Sequence, residues 1–211
     1  TPAAIVKRLN AEIEKIIALY NIYSNAGQDA KAAEQLASAV ALDPTNVRVV
    51  ELQFMDALES EKFDVAKQIV DKAIASDMDS MGGLSFRARL QAAEGNPAEA
   101  AATMQQAVDR GGASPEAYRL LGRMYMLARR MPEATRAYEQ ALKLRPNDIP
   151  TVNDLLLSMR AANRNEEALA AARRYIKQGR GDRAFLDAWL ALEAAVGDKV
   201  TAIGERERML R

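Results

Sequence analysis

Apolar residues recur along this chain at helical spacing, and short Gly- or Pro-containing breaks interrupt them at regular intervals. Ile5, Leu9, Ile13, Ile16 and Tyr20 form one such stripe, with the three-to-four-residue period of a helix face. The breaks fall at Asn25-Ala26-Gly27, Asp43-Pro44, Gly82-Gly83, Gly95-Asn96-Pro97, Gly111-Gly112, Arg145-Pro146-Asn147, Gly179 to Gly181 and Gly197-Asp198. Gly supplies the left-handed residue that stops a helix, and Pro cannot continue one. Val, Ile and Thr never gather into alternating runs, so strands are not expected. The pattern predicts an all-helical array of hairpins.

A fixed period underlies the array. Ala32, Ala66, Ala100, Ala134, Ala168 and Ala202 stand 34 residues apart without insertion. A second row reads Ala39, Ala73, Ala107, Ala141, Tyr175, Met209, and the row after it Val40, Ile74, Val108, Leu142, Ile176, Leu210. A third class of position reads Ile16, Val50, Leu84, Tyr118, Val152, Leu186. Small residues mark where two helices approach most closely, because packed interiors have no room for added methylenes. The apolar rows give neighbouring units a shared core, which one hairpin could not form alone.

A helix–turn–helix repeat of this length resembles the tetratricopeptide repeat. Residues 115–148 carry the motif best: Tyr118-x2-Leu121-Gly122-x2-Tyr125, then Ala134-x3-Tyr138, Ala141 and Pro146. The Gly122 position is Tyr20, Phe54, Ala88, Leu156 and Leu190 in the other units, and the Tyr138 position is Leu36, Val70, Met104, Ala172 and Arg206. The resemblance implies an all-α fold, a right-handed superhelical solenoid of antiparallel helix hairpins. It divides the chain into units 13–46, 47–80, 81–114, 115–148, 149–182 and 183–211, the last a polar cap. Residues 1–12 either extend the first helix or belong to an earlier repeat. The start, TPAAIVKRLN, has neither Met nor a signal-peptide layout, so the chain is expected to be a piece of a longer protein.

Composition then removes several kinds of chemistry. The 211 residues include no Cys and no His. Zinc-thiolate sites, thiolate nucleophiles, imidazole bases and Ser-His-Asp triads are thereby excluded. No Gly-rich phosphate loop precedes a Lys-Ser/Thr pair. Asp77-x-Asp79-x-Met81-Gly82 starts like a calcium loop but has Met81 where an oxygen ligand is needed and Ala88 where the bidentate Glu belongs. It reads as an inter-repeat turn, as does Arg180-Gly181-Asp182. Glu12/Glu14 and Glu166/Glu167 read as solvated faces, and Trp189 with most Met residues as core. No enzyme, cofactor or metal is expected, and no stretch is apolar enough to span a membrane. The compartment is left open between cytosol and periplasm.

The remaining candidate is the inner surface. In tetratricopeptide proteins the first helix of each hairpin lines the concave face, where peptides bind. The ladders implied here place Asn21, Met55, Phe86, Arg89, Arg119, Arg123, Met126, Asn153, Leu157 and Arg160 on that face. Arg forks suit carboxylates, and Met adapts to varied apolar partners. The expectation is a non-catalytic protein–protein interaction scaffold that binds an acidic and apolar peptide or protein. The competing reading pairs these Arg residues with nearby Glu within or between helices, such as Glu116 with Arg119. The family's chaperone-tail clamp uses Lys and Asn where this chain has Arg119, Arg123, Asp154 and Ala184, so that activity is not expected. A spacer or self-association role, with a homodimer, is the alternative function.

Net charge is zero, from 29 basic and 29 acidic residues, which argues against bulk nucleic-acid binding. The zero conceals two blocks. Residues 1–80 hold 8 basic and 13 acidic groups, whereas residues 115–183 hold 14 and 8. A partner of acidic character would favour the second block.

Overall fold

The period seen in the sequence is also the period of the helix boundaries. In a computed structural model that describes residues 2–76, 81–177, 183–196 and 204, helices begin at Val47, Met81, Pro115, Ile149 and Arg183, each 34 residues after the last. Their hairpin partners begin at Asp29, Phe63, Pro97, Met131 and Asn165, with the same interval. Asp77, Asp79, Arg180 to Asp182, Ala202, Arg206 and Met209 lie outside the described residues.

The chain divides into two compact units, Thr1–Ser76 and Asp77–Arg211. The first holds α1 (Pro2–Asn25), α2 (Asp29–Leu42), α3 (Val47–Glu59) and α4 (Phe63–Ser76). α1 is one uninterrupted helix, since nothing between Ala3 and Ala26 breaks it. Its second half packs on α2 and the start of α3 around Ile13, Ile17, Tyr20, Ala32, Ala39, Val49 and Leu52. Ile5 and Val6, in the first half, stay exposed.

The second unit holds α5 (Met81–Ala93), α6 (Pro97–Asp109), α7 (Pro115–Leu127), α8 (Met131–Leu144), α9 (Ile149–Ala161), α10 (Asn165–Lys177) and α11 (Arg183–Val196). Each helix packs on its neighbours in sequence, and α7 also touches α5 and α9. One continuous core runs from Leu84 to Leu192. Both units are thus stacks of antiparallel hairpins, the all-α architecture expected from the periodicity. Trp189, Met104, Met124 and Met159 are core residues, as their spacing implied.

The turn inside each hairpin is built the same way five times. Gly27, Glu61, Gly95, Arg129 and Asn163 all have positive φ, and they too stand 34 residues apart. The N–H of the following residue donates to the carbonyl five positions back: Gln28 to Tyr23, Lys62 to Ala57, Asn96 to Gln91, Arg130 to Tyr125, Arg164 to Met159. This is the Schellman closure, which satisfies the last carbonyls of the first helix. Two starts of first helices are side-chain capped: the Asn46 amide oxygen accepts from the Arg48 N–H at 3.0 Å, and Ser114 Oγ accepts from the Ala117 N–H at 3.1 Å.

Close packing within the hairpins follows the Ala row. Ala32, Ala66, Ala100, Ala134 and Ala168 are all buried. Around them, side-chain volume is exchanged between two repeat positions. Where the first helix carries Gly122, the second carries Tyr138. Elsewhere the pairs run Ala88 with Met104, Leu156 with Ala172, Phe54 with Val70 and Tyr20 with Leu36. In the second unit a large residue on one helix accompanies a small one on the other, which keeps the filled volume roughly constant, whereas the Phe54–Val70 and Tyr20–Leu36 pairs of the first unit fill more.

Candidate peptide-binding surface

Helical geometry places side chains three and four residues apart on one face. Arg119, Arg123 and Met126 therefore share a face of α7, and Asn153, Leu157 and Arg160 share the equivalent face of α9. Phe86 and Arg89 occupy the corresponding part of α5 and are half-buried. Met126 packs its inner side on the core, while Leu157 projects with 47 % of its surface exposed. Arg123 and Arg160 are exposed, and neither forms an ion pair among the described residues. Asn21, exposed on α1, and Met55, half-buried on α3, belong to the first unit and are described within it.

Arg119 is different. Its Nε donates to Asp154 Oδ2 at 2.8 Å, which ties α7 to α9. The pairing of Arg119 with Glu116 suggested by their spacing is not formed. Glu116 pairs with Arg145 at 2.5 Å instead, and its carboxyl lies below the ordinary range through the N–H group at its own helix start and then through Arg145. Helix-to-helix reach decided this partner choice, and an i,i+3 rule cannot see it.

Two residues of the floor were not among the candidates. Tyr138 is only 1 % exposed, and its ring lies beneath Gly122. Burial raises its hydroxyl pKa most, and Asp154 adds to that, while Arg123 and Arg119 act in the opposite sense. The charges around this hydroxyl are thus those of the α7–α9 face. Asp154 is the second residue. Its presence beside Asn153 was visible in the sequence, but its partner lies 35 residues away. Asn153 itself is half-buried, and its Oδ1 is buried with no hydrogen-bond partner.

Hollows among the described residues lie elsewhere. One of about 440 Å³ opens between Gly95–Glu99 and Leu127–Arg129, and one of about 290 Å³ lies over Tyr118, Leu121 and Tyr125, beneath Gln105, Glu133, Arg136 and Gln140. None of the ten candidate residues lines either. Tyr125 there donates its hydroxyl to Gln105 Oε1 at 2.9 Å. Among the described residues no group of three or more Asp or Glu could hold a metal ion, and no helix is long and apolar enough to cross a membrane.

Comparison with known proteins agrees with this geometry. Residues 86–149 match the tetratricopeptide repeat family model. Residues 86–149 carry tetratricopeptide repeats. This family generally mediates protein–protein interaction, and its scaffold proteins are generally non-enzymatic. No curated protein matches the chain in sequence. Among solved structures, a thermophilic tetratricopeptide protein of Thermus thermophilus superposes with a TM-score of 0.67 at 16 % identity, covering 85 % of this chain and 98 % of that one. PilW, described as a widely conserved type IV pilus biogenesis factor, gives 0.66 at 17 % identity over 94 % and 91 % of the two chains. PilF of Pseudomonas aeruginosa gives 0.60 at 18 % identity over 93 % and 89 %. At these identities the likeness is one of fold. The tetratricopeptide match centres on α5 to α8, which carry Phe86, Arg89, Arg119, Arg123 and Met126.

Proposed function

We propose that this chain is a non-catalytic scaffold that binds an acidic and apolar peptide, or such a segment of a protein, on the first-helix face of its second unit. The observation that supports this most is the state of Arg123 and Arg160. Both are exposed, both lack an ion-pair partner among the described residues, and both share a face with the projecting Leu157. A surface Arg left unpaired keeps its fork for a carboxylate, and an adjacent exposed Leu supplies apolar contact. Arg119 contributes less directly, because Asp154 already holds it.

The test is direct titration. Blocked hexapeptides of Asp, Glu and Leu, carrying a fluorophore, are titrated with the chain and read by anisotropy. Arg123→Glu with Arg160→Glu is expected to lower affinity at least about tenfold, since two charge-assisted contacts are replaced by repulsion. Unchanged binding by a folded double variant rejects the assignment.

A second reading, self-association, has one observation in its favour. Ile5 and Val6 lie exposed on the first half of α1, at 69 % and 55 %. Light scattering of the isolated chain separates the two readings: a stable dimer lost in Ile5→Ser with Val6→Ser supports it, and a monomer rejects it.

A further inference from the structure

The hollow of about 290 Å³ in the second unit joins an apolar floor to polar groups whose donors are unspent. It opens between the second helices α6 and α8, on a different face of α7 from Arg119, Arg123 and Met126. Its floor is the half-buried ring of Tyr118 with the buried Leu121 and Tyr125.

Part of the rim is already engaged. Gln105 accepts from the Tyr125 hydroxyl at 2.9 Å and donates through Nε2 to Asp109 Oδ1 at 2.7 Å. Glu133 accepts from Nε and Nη2 of Arg130 at 3.0 and 2.8 Å, and that guanidinium lies 4.9 Å from the centre of the Tyr125 ring. Arg130 is the first influence on the Glu133 carboxyl and Arg136 the last. Glu139, the other acidic residue of α8, acts on Arg164. Three groups are left over. Arg136 is exposed, makes one long bond of 3.4 Å from Nε to the Pro132 carbonyl, and forms no ion pair among the described residues. Gln140, one turn further along α8, and the Tyr118 hydroxyl form no hydrogen bond among the described residues. All three can donate, and one is a cation.

Repeat packing does not require this combination. The Tyr118 position is Ile16, Val50, Leu84, Val152 and Leu186 in the other units, and the Arg136 position is Glu34, Gln68, Ala102, Ala170 and Gly204. Residues 115–148 alone put a ring and a cation at these two places.

The shape and the charges narrow the occupant. Arg136 and Gln140 stand exposed on one side, so a free small molecule would keep much of its surface in water, whereas small-molecule sites bury most of theirs. One side chain borne on a longer segment needs only its own volume. An aromatic ring gains most from a floor of tyrosines, because rings pair edge-to-face or offset beyond the area they bury. An exposed Arg beside a Glu that another Arg holds complements a further carboxylate. We propose that this hollow takes a Phe or Tyr side chain from a segment of a partner protein, with an adjacent Asp or Glu of that segment meeting Arg136. Gln140 supplies a neutral donor to the same carboxylate. This is a second contact site, and it does not depend on the first-helix face.

NMR titration of the 15N-labelled chain tests it. The probes are blocked tetrapeptides, Gly-Phe-Asp-Gly against Gly-Phe-Asn-Gly and Gly-Ala-Asp-Gly. The side-chain N–H signals of Arg136 and Gln140 report the hollow, and those of Arg123 and Arg160 report the other face separately. The Phe-Asp peptide is expected to move the first pair saturably, with a roughly millimolar dissociation constant, the scale of a single anchoring residue. The Phe-Asn and Ala-Asp peptides should bind about threefold to tenfold more weakly. Arg136→Gln is expected to abolish the preference for Asp over Asn. Tyr118→Leu, the residue already present at Leu84 and Leu186, should keep the fold and reduce the preference for Phe over Ala by about threefold. Signals of Arg136 and Gln140 that do not move, or binding equally strong to both variants, overturn the site whatever Arg123 and Arg160 do. Binding of 3-phenylpropanoate as tight as that of the Phe-Asp peptide would identify a free aromatic acid as the ligand and overturn the assignment to a protein segment.

Discussion

Arg173 on α10 grips Glu193 on α11 with both arms of its guanidinium, Nε to Oε1 at 2.5 Å and Nη2 to Oε2 at 2.7 Å. Glu193 is fully buried, and the indole N–H of Trp189 donates to the same Oε1 at 3.1 Å. A carboxylate so enclosed must be paired. Arg173→Ala leaves it with one neutral donor and is expected to destabilise the second unit by about 1–2 kcal/mol, less than a fully buried pair because the Arg side chain is half exposed. Adding Glu193→Leu should recover most of that loss, since an apolar residue needs no partner there. Urea titration followed by Trp189 fluorescence measures both. Equal stability of the single and double variants contradicts this account.

The contact of Gly122 with Tyr138 makes a sharper steric prediction. A β-carbon on Gly122 would stand 2.5 Å from Cε1 and 2.8 Å from Cδ1 of the Tyr138 ring. With the ring locked in the core, Gly122→Ala should cost about 2–3 kcal/mol through overpacking. Repeat 81–114 already shows the remedy, with Ala88 and the smaller Met104 at the same two positions. Tyr138→Met in the Gly122→Ala background is therefore expected to restore at least half of the loss, a coupling that a double-mutant cycle by thermal unfolding would detect. Additive effects would place the strain elsewhere.

These examples show where the sequence is legible. The Ala row at 34-residue spacing is buried at Ala32, Ala66, Ala100, Ala134 and Ala168, and local turn chemistry marks most helix ends. Repetition made both visible, because one physical requirement is written five times. Short-range pairs such as Arg130–Glu133 and Arg164–Glu167 follow helix spacing, but the partners of charged residues on different helices were not legible. Arg119 bonds Asp154, Glu116 bonds Arg145 and Arg173 bonds Glu193, over 35, 29 and 20 positions. Such pairs depend on how far each side chain reaches between helices, and they do not recur from one repeat to the next. The Tyr138 hydroxyl was overlooked for a related reason. Aromatic rings at that motif position are read as core, and the oxygen at the ring's edge has no signature in spacing.

The repeated left-handed turn residue carries a stability prediction in each unit. Gly27, Gly95, Glu61, Arg129 and Asn163 occupy equivalent places, with φ from 55° to 84°. Asn tolerates this conformation, but a longer side chain is disfavoured by about 1 kcal/mol. Glu61→Gly and Arg129→Gly are each expected to stabilise their unit by about 0.5 kcal/mol, after the added freedom of the unfolded chain is offset. Gly95→Ala should destabilise by about 1 kcal/mol although open space surrounds it, because the objection is the backbone angle rather than contact. Chemical denaturation resolves these signs. A loss of stability in Arg129→Gly would mean that its side chain makes a contact worth more than the strain.

The Arg119–Asp154 pair also bears on binding. While Asp154 holds Arg119, the α7–α9 face presents one neutralised cation beside the exposed Arg123, which has no ion pair among the described residues. Asp154→Asn keeps the shape and leaves a neutral acceptor for Arg119, so the fold is expected to survive with a small loss from a part-exposed pair. The removed charge raises the positive potential of the face by one unit, and an acidic hexapeptide should bind about threefold to tenfold more tightly, with a steeper dependence on salt. Asp154→Asn would weaken binding instead if the carboxylate itself contacted the ligand or if Arg119 had to be held in place to meet it. The direction of the change in anisotropy titrations at two salt concentrations therefore separates an Asp154 that restrains the arginines from one that orients them.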